Sequence, residues 1–250
     1  MPFAVNSFEL FRKEKFWKQQ WNNKLQGYMT EKPKLGLLIH KWISCGVISG
    51  VESICEVAAG SCVSSLYLSK FYDVTATDFN TYGFAAAQKM SSTGNYRLRF
   101  KEENAFSFSF PNNEFYLVFH NGFLVCFRLN DEINKLISEQ VRISKKYLLV
   151  VVHNRSDILN RYRFYKKVRA GDLLYDIRWW SRKEIVRIIE QYGYIEKVDY
   201  LSYPLLETAK SSRKIPILLR NNRLYRKIWR LSLLRSITFG DRLVVLLRVT

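Results

Sequence analysis

Residues 54–80 read ICEVAAGSCVSSLYLSKFYDVTATDFN, and their pattern is that of one strand, turn, helix and strand. Ile54 to Val57 is a short apolar run that carries one carboxylate, Glu56. Five small residues follow, Ala58 to Cys62, which let the backbone turn tightly and let a ligand approach its amides. Leu66, Leu68 and Phe71 then give a helix its inward face, and Val74 to Thr77 forms a second strand that ends on Asp78. An acid about 20 positions beyond such a turn stands where it can accept hydrogen bonds from ribose hydroxyls. At an exposed strand end, Asp78 is expected to matter little for stability.

The dinucleotide fingerprint G-x-G-x-x-G is absent, because Gly60 is the only glycine of the turn. A nicotinamide or flavin site is therefore disfavoured. The stretch resembles the first motif of the class I S-adenosylmethionine-dependent methyltransferases: a strand ending in an acid, G-x-G-x-G, and an acid closing the second strand. Glu56, Gly60 and Asp78 fall on that pattern, while Ala58 and Cys62 stand where the first and third glycines are usual. The resemblance implies an α/β fold with a seven-stranded, mostly parallel Rossmann-like sheet, order 3-2-1-4-5-7-6. Its last strand is antiparallel, and helices flank the sheet. It also implies S-adenosylmethionine as cofactor, held by Glu56, Ala58, Gly60, Asp78, Asn104, Ala105 and His120.

The remaining elements fit around this unit. Residues 7–26 read as one helix opened by Ser7, with Trp17, Trp21 and Leu25 on one stripe, either core or a cap closing over a ligand. After Pro33, the spacing of Leu35, Leu38, Ile39, Trp42 and Ile43 predicts a second helix, ended by Gly46 and Gly50. The domain reading is a helical cap over 1–34 and a methyltransferase-like domain over 35–250, with a basic insert at about 203–238. A crossover helix over 82–90 and a third strand over 96–100 lead to Asn104-Ala105. In the resembled family such a pair meets adenine, whereas by itself a loop Asn more simply makes a local turn. The fourth strand, Phe115 to Phe119, runs into His120-Asn121-Gly122-Phe123, and Tyr116 replaces an acid common there in the family.

Asn130-Asp131-Glu132 opens a helix with acids at its positive end, and Tyr147 to Val152 is the longest continuous β run, hence a central strand closed by His153-Asn154. Residues 155–180 show no clear period and are rich in Arg, Tyr and Trp, and a long insert after a central strand points to function. Ser181 to Glu184 is a capping box, and the last two strands are expected over 195–200 and 243–249.

Of the chemistry-bearing residues, His120 and His153 both end strands at the edge where the resembled fold places its pocket. A neutral imidazole near pH 7 is a suitable base, so both are candidate catalytic residues. The loop after the fourth strand lacks the Asn/Asp-Pro-Pro-aromatic motif of amino-methylating nucleic-acid enzymes. Cys126 has no proline beside it, unlike the cytosine C5 enzymes. That leaves a small-molecule acceptor, a sugar or secondary metabolite methylated on O or N. An RNA methyltransferase, or a cofactor-free scaffold, stands as the alternative.

The formal net charge is +18, and residues 201–250 hold eleven lysines and arginines against Glu207 and Asp241. Within them, Lys210 to Arg235 alternates basic and apolar residues, which fits an anionic partner, a membrane surface or nucleic acid. No apolar run approaches the ~18 residues of a membrane span. The four cysteines lack any CxxC or Cys/His ligand spacing and read as free thiols of a cytoplasmic protein, with no metal site expected.

Overall fold

The structure, a computed structural model, describes residues 7–29, 32–201 and 240–250. The basic segment 210–235 and the insert at 203–238 lie outside the described residues. The chain order is α1 (Ser7–Leu10), α2 (Glu14–Met29), α3 (Lys34–Ser44), β1 (Ser53–Val57), α4 (Val63–Leu68), β2 (Asp73–Asp78), α5 (Phe84–Ser91) and β3 (Leu98–Glu102). It continues with β4 (Phe115–Asn121), α6 (Asn130–Ile143), β5 (Ser144–His153), α7 (Ile158–Arg169), α8 (Arg182–Ile189), β6 (Gly193–Leu201) and β7 (Arg242–Val249). These strands form one sheet in the order β3-β2-β1-β4-β5-β7-β6. β7 runs antiparallel to both of its neighbours, and the other pairs are parallel.

The unbroken apolar run of β5 follows from its place between β4 and β7. Leu148, Val150 and Val152 enter one apolar cluster, while Tyr147, Leu149 and Val151 enter the cluster on the opposite face. Both faces are covered, so alternation is not needed. Each fully buried aliphatic side chain contributes about 1.5–3 kcal/mol. The first face is covered by α6 and α8 through Ile133, Leu136, Ile137, Ile185 and Ile189, the second by α3 through Leu35, Ile39 and Trp42. The expected capping box is present: Ser181 Oγ accepts from the Glu184 amide at 3.2 Å, and Glu184 accepts from the Ser181 amide at 2.9 Å.

Two expectations are corrected. The segment 7–26 is not one helix: it breaks at residues 11–13, where Phe11 buries itself and the Trp17 indole donates to the Phe11 carbonyl at 2.8 Å. Residues 155–180 are not wholly irregular: α7 occupies Ile158–Arg169, opened by Asp157, whose carboxylate accepts from the Asn160 amide at 3.0 Å. Ile158, Tyr162 and Tyr165 stay exposed, so the helix has no apolar stripe to betray it.

Candidate active site

The turn after β1 keeps a glycine-type backbone with few glycines. Ala58, Gly60 and Cys62 all have left-handed φ values, 52°, 50° and 56°. For Ala58 and Cys62 that conformation costs about 1–2 kcal/mol each, strain of the kind proteins store at functional sites. The Ala59 amide donates to the Thr77 carbonyl at 2.9 Å, so the turn is bound to β2 as well as to β1.

Glu56 and Asp78 stand at the carboxyl ends of the adjacent strands β1 and β2 beneath this turn, and both are buried. Glu56 Oε2 accepts from the amide of Ser65 at 3.0 Å and from its hydroxyl. Burial nevertheless pushes Glu56 up to about 7, with the Ser65 bonds pulling the other way. Asp78 accepts from the Gly60 amide at 2.9 Å through Oδ2 and from the Asn80 amide at 3.0 Å through Oδ1. Burial raises it to about 6. The expectation of an exposed Asp78 is therefore corrected. The carboxylate is enclosed by the backbone of the turn and of residues 79–80 whose amides it accepts from, and Asn80 Nδ2 in turn donates to the Glu14 carbonyl of α2 at 3.3 Å.

A cavity of about 840 Å³ opens above these residues at the carboxyl ends of β1, β2, β4 and β5. Glu56, Ala58, Gly60, Asp78, Asn104 and Ala105 all reach its wall. Its roof includes Trp17 and Trp21, stacked with ring centroids 6.2 Å apart. Trp21 lies so close over the turn that a Cβ on Gly60 would stand 2.6 Å from Cζ2 of its indole. Leu25, the third residue of that stripe, has its side chain outside the described ones. Asn104 is exposed, and its side-chain oxygen accepts from the Phe106 amide at 3.0 Å, the local turn open to a loop Asn. Tyr116 stands at the start of β4 and accepts from Lys145 Nζ at 3.1 Å. It is at the far end of the strand from the cavity, not at the pocket.

The two histidines part company. His153 lines the cavity, packed against Phe164 and Trp179 with ring centroids 5.3 and 5.2 Å away. Burial, with the charge of Arg242 beside it in register on β7, holds its pKa well below the usual imidazole value. His120 is fully buried and off the cavity wall, and neither ring nitrogen has a partner among the described residues. Burial depresses it to about 3. Side chains alternate along a strand, so His120 shares the face of Val118, which lies in the α6 and α8 cluster.

Sequence reasoning missed two contributors. Gly83 meets the Gly60 backbone, and a Cβ there would be 2.3 Å from the Gly60 carbonyl oxygen. Its only signal was a glycine inside the helix expected over 82–90, which in the structure begins at Phe84. Glu103 also reaches the cavity wall, held by Lys101 Nζ at 2.8 Å and by the Ser109 amide at 2.9 Å.

A sheet in this order, a small-residue turn after β1 and a carboxylate closing β2 define the class I methyltransferase architecture. Residues 55–150 match the family described as "Methyltransferase domain". Over that stretch the chain carries a methyltransferase domain, and its sheet has the order of the class I S-adenosylmethionine-dependent methyltransferase fold. No curated protein matches it in sequence. Among solved structures it is similar to magnesium protoporphyrin IX methyltransferase from Synechocystis with bound SAH, at 10% identity and a TM-score of 0.64, over 98% of this chain and 100% of that one. A phosphoethanolamine N-methyltransferase of Haemonchus contortus, in complex with S-adenosyl-L-methionine, aligns at 14% identity and a TM-score of 0.63, over 100% of this chain and 61% of that one. A methyltransferase from Methanosarcina mazei aligns at 19% identity and a TM-score of 0.57, over 85% and 96%.

The cavity fits the cofactor of that superfamily. A carboxylate offers about four acceptor sites, and the amides of Gly60, Asn80 and Phe79 leave Asp78 room for a further donor such as a ribose hydroxyl. Among the described residues, no helix is long and apolar enough to cross a membrane.

Proposed function

We propose that this enzyme transfers the methyl group of S-adenosylmethionine to an oxygen or nitrogen of a small-molecule acceptor, of the sugar or secondary-metabolite class. The observation that carries the proposal is one cavity of about 840 Å³ that joins Glu56 and Asp78 at one end to His153 and Arg242 at the other. That size suits a nucleoside cofactor and a small acceptor together. The roof made by Trp17 and Trp21 favours an acceptor that can be enclosed.

S-adenosylmethionine supplies an already activated methyl group. What the chain contributes is binding, alignment and exclusion of water. Asp78 holds the ribose, Glu56 and the left-handed turn hold the amino-acid end, and the Ala105 side of the wall meets the adenine. His153 is the candidate group beside the acceptor. Its depressed pKa keeps it neutral at pH 7 and able to accept a proton, although weakly. Most of the rate then comes from alignment. His120, also a candidate from the sequence, has no route to the acceptor through the cavity wall.

Titration calorimetry with S-adenosylmethionine and its demethylated product tests the donor half. Transfer from methyl-labelled donor to the small-molecule or RNA fraction of a cell extract tests the acceptor half. Absence of heat with the donor at ~1 mM, where a Kd of 1 mM corresponds to only about −4 kcal/mol, defeats the proposal. Label confined to RNA would replace the acceptor class.

A further inference from the structure

Beside the large cavity lies an open hollow of about 540 Å³ walled by Arg128, Arg155, Arg161, Arg178, Ile177 and Trp179. It is built by main-chain ties between three loops at the carboxyl ends of β4 and β5. Asn154 bridges to Trp180, the Arg155 amide donates to the Trp180 carbonyl at 2.8 Å, and the Trp180 amide donates to the His153 carbonyl at 2.9 Å. These bonds set Arg155 and Arg178 side by side. The Arg178 amide donates to the Val125 carbonyl at 2.9 Å and its Nη1 to the Arg128 carbonyl at 2.8 Å, which brings in the third loop. Arg161 comes from α7, and its Nη1 donates to the Arg155 carbonyl at 3.4 Å.

Four guanidinium groups around one hollow repel each other, and they are held there by fixed backbone. Arg178 sits with Cζ 3.9 Å above the Trp180 ring, and its pKa is lowered by burial, with Arg155 adding to the effect. Glu184, 3.0 Å from Arg155, offsets part of the charge. A guanidinium carries five donors in a planar fork matched to phosphate oxygens, and the bonds to the Arg128, Arg155 and Trp179 carbonyls and to Glu184 use only part of those of Arg178, Arg161 and Arg155. The hollow shares Ile177 with the large cavity, and Trp179 lies between it and His153.

We infer that the arginine hollow is the anion subsite of the acceptor pocket and binds a phosphate monoester, whose organic part extends past Ile177 and Trp179 to His153. The inference rests on the methyl-transfer reading and narrows its acceptor to a phosphorylated small molecule.

Calorimetry with inorganic phosphate and with phenyl phosphate, each at ~50 mM salt to limit screening, tests it on the unmodified protein and on R161Q, R161K and K89Q. Lys89 is exposed on α5 and removes the same charge away from the hollow. Both probes should bind the unmodified protein, with phenyl phosphate about 10-fold tighter because its ring reaches the aromatic wall. R161Q should weaken both by about 10-fold or more, and R161K by less. K89Q should leave them within 2-fold, and S-adenosylmethionine affinity should be the same in all four proteins. Equal losses in R161Q and K89Q, or no binding of either probe at ~10 mM, overturn the inference, as does an oligonucleotide that binds tighter than phenyl phosphate with the same dependence on Arg161. Arg161-dependent binding of phenyl phosphate without any binding of S-adenosylmethionine overturns the methyl-transfer reading and leaves only a phosphate site.

Discussion

Gly83 and Gly60 touch backbone to backbone, so that a Cβ on Gly83 would lie 2.3 Å from the carbonyl oxygen of Gly60. The approach closes the cofactor turn from the side of α5. Gly83 itself has an ordinary helical φ of −69°, so its need for glycine is one of space and not of dihedral angle. Gly83→Ala should push the Gly60 peptide out of place, lower stability by about 1–3 kcal/mol as overpacking does, and weaken S-adenosylmethionine binding. Chemical denaturation paired with calorimetry checks both effects. A variant with unchanged affinity would mean that the turn does not carry the cofactor.

At Ala58 the expectation runs the other way. Its φ of 52° strains any residue with a Cβ, and its side chain is only half-buried. Ala58→Gly should therefore stabilise the protein by up to about 1 kcal/mol, since relief of the left-handed strain exceeds the extra chain entropy of glycine. A lower denaturation midpoint would show that the strain is small.

Asp78→Ala removes the acceptor for the Gly60 and Asn80 amides as well as for a ribose. Two buried amides left unpaired cost about 1–3 kcal/mol each. Cofactor affinity should fall at least ~10-fold, since a bond to a charged acceptor contributes about 1.5–3 kcal/mol. Asp78→Asn, which keeps an oxygen acceptor, should recover most of the stability and less of the affinity.

Glu56 sets a pH dependence whose sign is the reverse of most carboxylates. Its folded pKa, about 7, lies above the ordinary 4.5 of a glutamate, so between these values the native state holds a proton that the unfolded chain has lost. Stability from this group is full below pH ~4.5 and falls as pH rises towards ~7, by about 3 kcal/mol at most. Glu56→Gln should flatten that limb and be more stable than the unmodified protein at pH 8. Equal slopes in urea titrations of the two proteins from pH 5 to 8 would contradict it.

The histidines give a paired test. His153→Ala should lower turnover by roughly 10²-fold with cofactor affinity little changed. In the unmodified enzyme saturated with cofactor, the depressed pKa of His153 predicts that this group causes no loss of turnover as pH falls through 6.5, so that any loss there belongs to Glu56 and Asp78. His120→Leu should leave turnover intact and hold or raise stability, because it removes two buried nitrogens that have no partner among the described residues. A turnover loss in His120→Leu alone would exchange the two assignments.

How much of this was readable in the chain depends on what each residue packs against. The strands announced themselves because both faces of β1, β4 and β5 are buried, leaving apolar runs such as Tyr147 to Val152. The order of those strands came with the family resemblance carried by Glu56, Gly60 and Asp78. The left-handed backbone at Ala58 and Cys62 was illegible, since alanine and cysteine give no hint of a positive φ. α7 was hidden because Ile158, Tyr162 and Tyr165 face solvent and Phe164 alone of its aromatic residues packs inward, against His153. His120 and His153 looked equivalent as strand-end residues, yet one faces a helix cluster and the other the cavity. The arginines of the hollow are 50 positions apart between Arg128 and Arg178, and the bonds of Arg178 to the Val125 and Arg128 carbonyls, with the bridge of Asn154 to Trp180, bring their loops together.

The stacked indoles over Gly60 have a consequence for what counts as the container. None of the seven strands draws on the chain before Lys32, yet Phe11, Arg12, Trp17 and Trp21 together form one side of the cavity. A version beginning at Lys32 would keep the sheet and be left with a trough in place of a chamber. A donor bound there would then rest in bulk water, and tryptophan emission, expected to shift in the intact protein on addition of the donor, would lose its nearest reporters.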